Sequence, residues 1–241
     1  MIRHELRGHV ALVTIDREER RNAVDLDTLV ELSSALAASV DSRVLVLTGA
    51  GGHFCAGADL TGVEDAGFAS ELGTVLRSLH DAPHPTIAAV DGAALGAGTQ
   101  LAVACDLRTA TTNASFGIPA ARLGLAVDAW TVRRVRALAG EGPARAMLLA
   151  AEILKGDEAH RIGLVQRLGS LDDALGWADE IADLAPLTIA AHKIALNRLG
   201  DVEPASDPEV EAAFRRAWES DDLREGIAAF HEKRRPLFHG R

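Results

Sequence analysis

Cysteine is scarce: two residues, Cys55 and Cys105, in a chain of 241. Two thiols make no disulfide framework at this length, which points to a reducing compartment. Long apolar runs are missing too, and nothing approaches the ~18 residues of a membrane-spanning helix. The opening stretch Met1-Ile2-Arg3-His4-Glu5 lacks the apolar segment of a secretory signal. These absences lead us to expect a cytoplasmic protein with no membrane span. Glycine and proline form no long tract, so no disordered linker is expected. Positive charge is in deficit, with 25 Lys and Arg against 35 Asp and Glu and a formal net charge of -10. That balance argues against nucleic acid, whose phosphates need a basic face. It leaves room for a small polyanion held by a local cluster, either Arg20-Arg21 or Lys233-Arg234-Arg235, although such clusters read alone are most often solvated surface.

What is present is a chain 48% hydrophobic, enough for one sizeable core and a small appended element. Residues 9–15 read as a buried strand ended by the charged turn at 16–20. Asp25-Leu26-Asp27 opens a helix with Leu29, Val30, Leu32, Leu36 and Val40 on its apolar face. A strand is expected over 43–48 and an amphipathic helix over 70–80, with Leu72, Val75, Leu76 and Leu79 aligned. Pro83 and Pro85 stop that helix, and a third strand follows at 86–90. A buried helix then runs to Ala104 or Cys105. Beyond Pro119 the pattern is mostly helical, near 129–139, 142–151, 172–184, 187–198, 208–219 and 221–231. Strands alternating with helices, then helices alone, suggest an α/β core with a helical tail. The break at Ala185-Pro186 divides the chain into a core over 1–185 and a C-terminal region over 186–241.

Two glycine-rich turns carry the chemistry. Phe54-Cys55-Ala56-Gly57-Ala58-Asp59-Leu60 follows Val44-Leu45-Val46-Leu47, and Ala94-Leu95-Gly96-Ala97-Gly98-Thr99-Gln100 follows Thr86-Ile87-Ala88-Ala89-Val90. Read alone, each is a tight turn between strand and helix. Taken in order, with Arg21-Asn22-Ala23 upstream, they strongly resemble the oxyanion-hole loops of the crotonase superfamily, the enoyl-CoA hydratase/isomerase family. The resemblance covers nearly the whole chain. It implies a spiral of repeated ββα turns and a C-terminal helical region that packs in a homotrimer or a dimer of trimers. It also implies an acyl-CoA thioester as ligand, with coenzyme A as part of the substrate and no separate cofactor. Carried onto this chain, the oxyanion donors are the backbone amides of Ala58 and Ala97, the latter at a helix N-terminus. Small residues suit such loops because a bulky side chain would block the ligand. At the CoA end, Arg21 and Ala23 match the family's basic-Asn-Ala motif, Ala56 and Asp59 flank the first donor, and Phe214 and Lys233 match residues completing the pocket from a neighbouring subunit.

The family's hydratases use two glutamates, and both are missing. One position holds Gln100 and the other, after Pro119, holds Ala120. Glutamine can orient a water but cannot take its proton, and alanine can do neither. Each acid/base group typically supplies ~10²–10⁴ in rate, so ordinary hydration should be impaired while thioester binding survives. Asp128, in Gly124-Leu125-Ala126-Val127-Asp128-Ala129-Trp130, is the nearby carboxylate that the family pattern offers instead. It also immediately precedes a helix and suits the role of its N-cap. Trp130 suits either core packing or an acyl pocket.

Other chemistries find no support. His53-Phe54-Cys55 and His80-Asp81-Ala82-Pro83-His84 lack further ligands at metal spacing, so no metal is expected. Gly49-Ala50-Gly51-Gly52 is neither a P-loop nor a dinucleotide fingerprint, and no Gly-x-Ser-x-Gly elbow occurs. Three functions stay open: an enzyme of another acyl-CoA reaction using Asp128, a non-catalytic acyl-CoA carrier, and a slow genuine hydratase using water oriented by Gln100.

Overall fold

Apolar strands buried on both faces build the frame, in a computed structural model that describes residues 1–61, 66–184, 186–198, 219–234 and 236. In β2 (Val10–Ile15), β3 (Val44–Gly49) and β4 (Thr86–Val90), alternate side chains enter two different cores. Ala11, Val13, Leu45, Leu47 and Ala88 join the main core, while Val10, Leu12, Val44, Val46 and Ile87 meet Ala174, Ala178 and Ala182 of α7 (Leu171–Ala182). A sheet covered on both sides needs continuous apolar strands, which is why these runs show no polar alternation.

The larger sheet has six strands in the order β1-β2-β3-β4-β6-β9, with β1 (Ile2–Arg7), β6 (Leu107–Ala110) and β9 (Arg167–Leu168) completing it. Within this sheet, among the described residues, only the β1–β2 pair is antiparallel. A second sheet has the order β5-β7-β8, from Ala93–Leu95, Ser115–Gly117 and Ile153–Lys155. The chain alternates between the two and closes each circuit with a helix. β3 leads through a bridge at Cys55 to α2 (Ala66–His80), and β4 through β5 to α3 (Ala97–Ala104). β6 leads through β7 to α4 (Ala129–Ala139). This is the expected ββα spiral.

Several sequence expectations need correction. β1 was not expected, since all but its first residue are exposed and no apolar pattern marks it; it forms by turning back at Gly8 onto β2. In α1 (Leu26–Ala38), Leu29, Leu32 and Leu36 are buried, but Val30 is 49% exposed and Val40, beyond the helix end, 54%. The chain after Pro119 is not helices alone. Strands β8 and β9 return to the two sheets around α6 (Gly156–Arg161), after α5 (Glu141–Leu149). The remaining described helices are α8 (Pro186–Arg198) and α9 (Asp221–His231). Ala185, Phe214 and all but the last residue of the expected helix over 208–219 lie outside the described residues.

The two glycine turns are stitched together by their backbones. Cys55 N–H donates to the Ala93 carbonyl at 2.8 Å, and Leu95 N–H to the Cys55 carbonyl at 3.0 Å. A Cβ on Gly98, the second residue of α3, would lie 2.0 Å from the Cys55 carbonyl oxygen. Only glycine permits that approach, and it fixes where α3 begins relative to the first turn. Buried Cys55 carries a thiol pushed up to about 12 by burial, so it packs as an apolar group.

Elsewhere, α8 is anchored by a buried lysine. Lys193 Nζ contacts Asp106 Oδ2 at 2.7 Å and donates to the His84 carbonyl at 2.9 Å. Burial, reinforced by the Lys193 charge, pulls the His84 imidazole down to about 4 from its usual 6.5.

Two outcomes follow from this packing. Gly98→Ala should cost about 1–3 kcal/mol by forcing the turns apart, read as a lower urea midpoint; an unchanged midpoint would contradict the close approach. Below pH 6.5 the unfolded chain protonates His84 while the folded chain resists until about pH 4, so folding stability should fall as pH falls through this window. The drop in urea midpoint between pH 7 and pH 5 should therefore be smaller in His84→Asn than in the wild type, and equal drops would rule the His84 contribution out.

Candidate functional site

Gly57 and Gly96 have φ of 126° and 53°, a region that favours glycine, and each turns the chain directly ahead of a residue expected to donate its amide. Those residues are Ala58 and Ala97. Neither N–H meets an acceptor among the described residues. Ala97 is the first residue of α3, where an amide has no partner within the helix and the macrodipole favours negative charge. A Cβ on Gly57 would sit 3.2 Å from the Leu95 carbonyl oxygen, and one on Gly96 only 3.9 Å from Gly57 Cα. The two turns thus meet, and Ala58 and Ala97 line one cavity of about 650 Å³.

The far end of α3 is held by cations. Arg108, fully buried, donates to the carbonyls of Ala102, Cys105 and Leu164. Arg134 donates to the Val103 carbonyl at 2.8 Å. Two guanidinium groups therefore satisfy the C-terminal carbonyls of the helix whose N-terminus faces the cavity, and their charge complements its dipole.

Apolar side chains form the rest of the cavity wall. Phe68, Leu72 and Leu76 contribute one face of α2, and Leu125, Val127 and Trp130 come from the segment entering α4. Trp130 packs against the main core, edge-on to His80 with centroids 5.5 Å apart, and also lines the cavity. Helix α9 closes over the segment at Gly226, where a Cβ would lie 2.1 Å from the Leu123 carbonyl oxygen. That approach brings Phe230 to the cavity with 56% of its surface exposed.

Gln100, Ala120 and Asp128 all line this cavity. Asp128 caps α4, accepting from Thr131 N–H at 2.9 Å and from the Thr131 hydroxyl at 2.7 Å. Gln100 Nε2 donates to Thr131 Oγ1 at 2.8 Å and lies 3.4 Å from Asp128 Oδ2. The cap and the cavity position are therefore the same residue.

The residues assigned to the CoA end are placed differently. Ala56 lines the cavity, and its N–H donates to the Arg21 carbonyl at 3.0 Å. Arg21 has φ 50° and an exposed side chain. The Ala23 carbonyl accepts from Arg17, and the Asp59 N–H donates to the Val24 carbonyl at 2.7 Å. The Asp59 carboxylate turns to the Thr61 hydroxyl, which holds its pKa below the usual carboxylate range despite partial burial. Lys233 lies exposed two residues past the end of α9, its N–H on the Phe230 carbonyl at 3.2 Å. Phe214 falls outside the described residues.

Sequence reasoning missed two supports. Buried Arg17 bonds Asp25 at 2.7 Å and lies 3.6 Å from Asp59, tying the first turn to the start of α1. Asn22 is fully buried, accepting from Arg17 N–H while its Nδ2 donates to the Ala50 and His53 carbonyls. Thr131 also went unnoticed, although Asp-x-x-Thr ahead of a helix is a capping pattern.

Residues 5–241 match the Enoyl-CoA hydratase/isomerase family. A protein of Mycobacterium leprae named "Probable enoyl-CoA hydratase" is 46% identical over 241 residues, covering 96% of each chain. A short-chain-enoyl-CoA hydratase of Clostridium acetobutylicum is 37% identical over 247 residues, covering 96% of this chain and 94% of its own. Among solved structures, an enoyl-CoA hydratase of Mycobacterium avium subsp. paratuberculosis superposes with a TM-score of 0.84 at 26% identity, over 99% of this chain and 98% of that one. A methylmalonyl-CoA decarboxylase reaches 0.92 at 24% identity, over 100% and 98%, a likeness of fold. Sequence, fold and the paired turns agree, and the chain belongs to the enoyl-CoA hydratase/isomerase family, of the crotonase superfamily.

Proposed function

We propose that the cavity binds an acyl-CoA thioester with its carbonyl oxygen between the Ala58 and Ala97 amides, and that hydration is weak because no carboxylate stands at Gln100 or Ala120. The carrying observation is that the Ala58 and Ala97 N–H groups meet no acceptor among the described residues while both residues line one largely apolar cavity. Such donors stabilise an enolate or tetrahedral oxyanion, each worth roughly 10²–10³ in rate when aligned. Adding water also needs groups that accept and return protons. The Gln100 amide cannot accept one, and the Ala120 methyl has no polar atom. The short-chain-enoyl-CoA hydratase relative supports an acyl-CoA ligand and a place in acyl-CoA metabolism.

In this reading Arg21 meets the CoA phosphates, and backbone groups around Ala23, Ala56 and Asp59 hold the adenine. Phe214 and Lys233 complete the pocket from a neighbouring subunit of a trimer or a dimer of trimers. No separate cofactor is needed, and the protein works in the cytoplasm. Holding the thioester, as a carrier does, then becomes the main activity. A second reading, Asp128 as acid/base in another acyl-CoA reaction, is favoured by its place on the cavity wall. Against it, the carboxylate is already engaged by Thr131 N–H and hydroxyl and by Gln100, which suits an orienting role.

Calorimetry with acyl-CoA beside a crotonyl-CoA hydration assay tests the reading. The wild type should bind without appreciable hydration, and Gln100→Glu/Ala120→Glu should gain at least ~10² in hydration rate. Fast wild-type hydration, or no acyl-CoA binding, would overturn it. Loss of a different turnover in Asp128→Ala, with binding retained, would favour the second reading.

A further inference from the structure

We infer that the free edge of β1 is a contact surface for a second copy of this chain, paired antiparallel about a two-fold axis with His4 opposite the partner's His4. The contact uses none of the residues placed at the cavity.

β1 ends the six-stranded sheet, and among the described residues only β2 pairs with it. Along an antiparallel strand, residues that exchange backbone bonds with the neighbour alternate with residues whose N–H and C=O point away. The parity is set at both ends of β1. Asp16 N–H donates to the Met1 carbonyl at 2.9 Å, which makes Met1 and Asp16 a bonded pair. At the other end Arg7 and Val10 close the two-residue turn Gly8-His9, and so short a turn closes on a bonded pair. Arg3, Glu5 and Arg7 therefore bond to β2, while Ile2, His4 and Leu6 aim their backbone groups outward. Ile2 shows this directly, since its N–H donates at 2.9 Å to a Glu31 carboxylate oxygen. Beyond the β1–β2 ladder, no described residue takes the N–H or carbonyl of His4 or Leu6. Such an edge is a template for another strand.

The side chains of this edge complement themselves. With His4 on the partner's His4, Ile2 and Leu6 lie opposite the partner's Leu6 and the partner's Ile2. On the other face of the sheet, Arg3 and Glu5 lie opposite the partner's Glu5 and the partner's Arg3. That reciprocity is what a two-fold contact requires. Leu6, 67% exposed in the single chain, is covered by an apolar side chain. Sliding the partner by two residues sets Arg3 on the partner's Arg3 or Glu5 on the partner's Glu5, and like charges directly opposite are destabilising. Sliding it by four toward the turn restores opposite charges, but then only residues 5–7 of the strands overlap. Charge and length together select one register. An identical strand supplies this order reversed, which is why a second copy is the occupant.

The test is sedimentation velocity of the full chain over a concentration series. The wild type should reach at least twice the mass of His4→Pro, because proline removes an outward N–H and leaves the ladder to β2 intact. His4→Ala also loses the 3.1 Å contact of Nε2 with Ser39 Oγ but keeps the N–H, so it should assemble as the wild type does. Arg3→Glu or Glu5→Arg alone should lose the larger assembly, and Arg3→Glu/Glu5→Arg should regain it. Within one chain the double change sets like charges beside Asp16 and Arg7, so recovery can come only from the contact between copies. Equal masses for the wild type and His4→Pro would overturn the inference and leave the edge to a strand of another protein. A larger assembly that survives either single reversal, or that the double change fails to regain, would overturn it as well.

Discussion

The contact between Gly98 and the Cys55 carbonyl sets the distance between two turns that are far apart in sequence. No side chain mediates it: a Cβ there would come to 2.0 Å of the oxygen. Because β3 and β4 are neighbours in one parallel sheet, their C-terminal ends emerge side by side, and the turns leaving them can pair through Cys55 and Ala94. Everything at the cavity depends on that pairing. It brings the amides of Ala58 and Ala97 to one cavity, and it seats α3 so that Gln100 lines the wall one helical turn on.

A site made of backbone amides is separable from the acid/base groups around it. The amides come with the fold, so they persist as long as the turns close. Side chains at Gln100 and Ala120 can change without disturbing that closure, since one is a helix residue bonded to Thr131 and the other lies in a short 3-10 segment (Pro119–Arg122). The wall of the cavity can thus change at these two positions while the paired turns keep their geometry. The cations capping α3 work in the same direction, because they stabilise the helix from its far end without touching the ligand.

Much of the frame was legible in the sequence. The strand over 86–90 and the helices over 129–139 and 221–231 match β4, α4 and α9, because long apolar runs and capping residues mark them. The three-residue strands β5, β7 and β8 were not, since a period cannot show in so short a run. Val30 and Val40 carried the right spacing but ended at the surface, because apolar periodicity does not say how wide the covered face is. At the site, the turns were legible as motifs. The bond from Gln100 to Thr131 was not, because it joins residues 31 apart through packing that no local pattern encodes.

The claim on which the rest turns is that two backbone amides hold the thioester oxygen. Isotope-edited infrared spectroscopy of a bound acyl-CoA labelled with ¹³C at the carbonyl reads that contact directly. The bound carbonyl stretch should shift to lower frequency than in buffer. Ala97→Pro deletes one donor at the first helical position, where proline is tolerated, and should shrink the shift. A bound stretch at the solution frequency, or a shift untouched by Ala97→Pro, would contradict it.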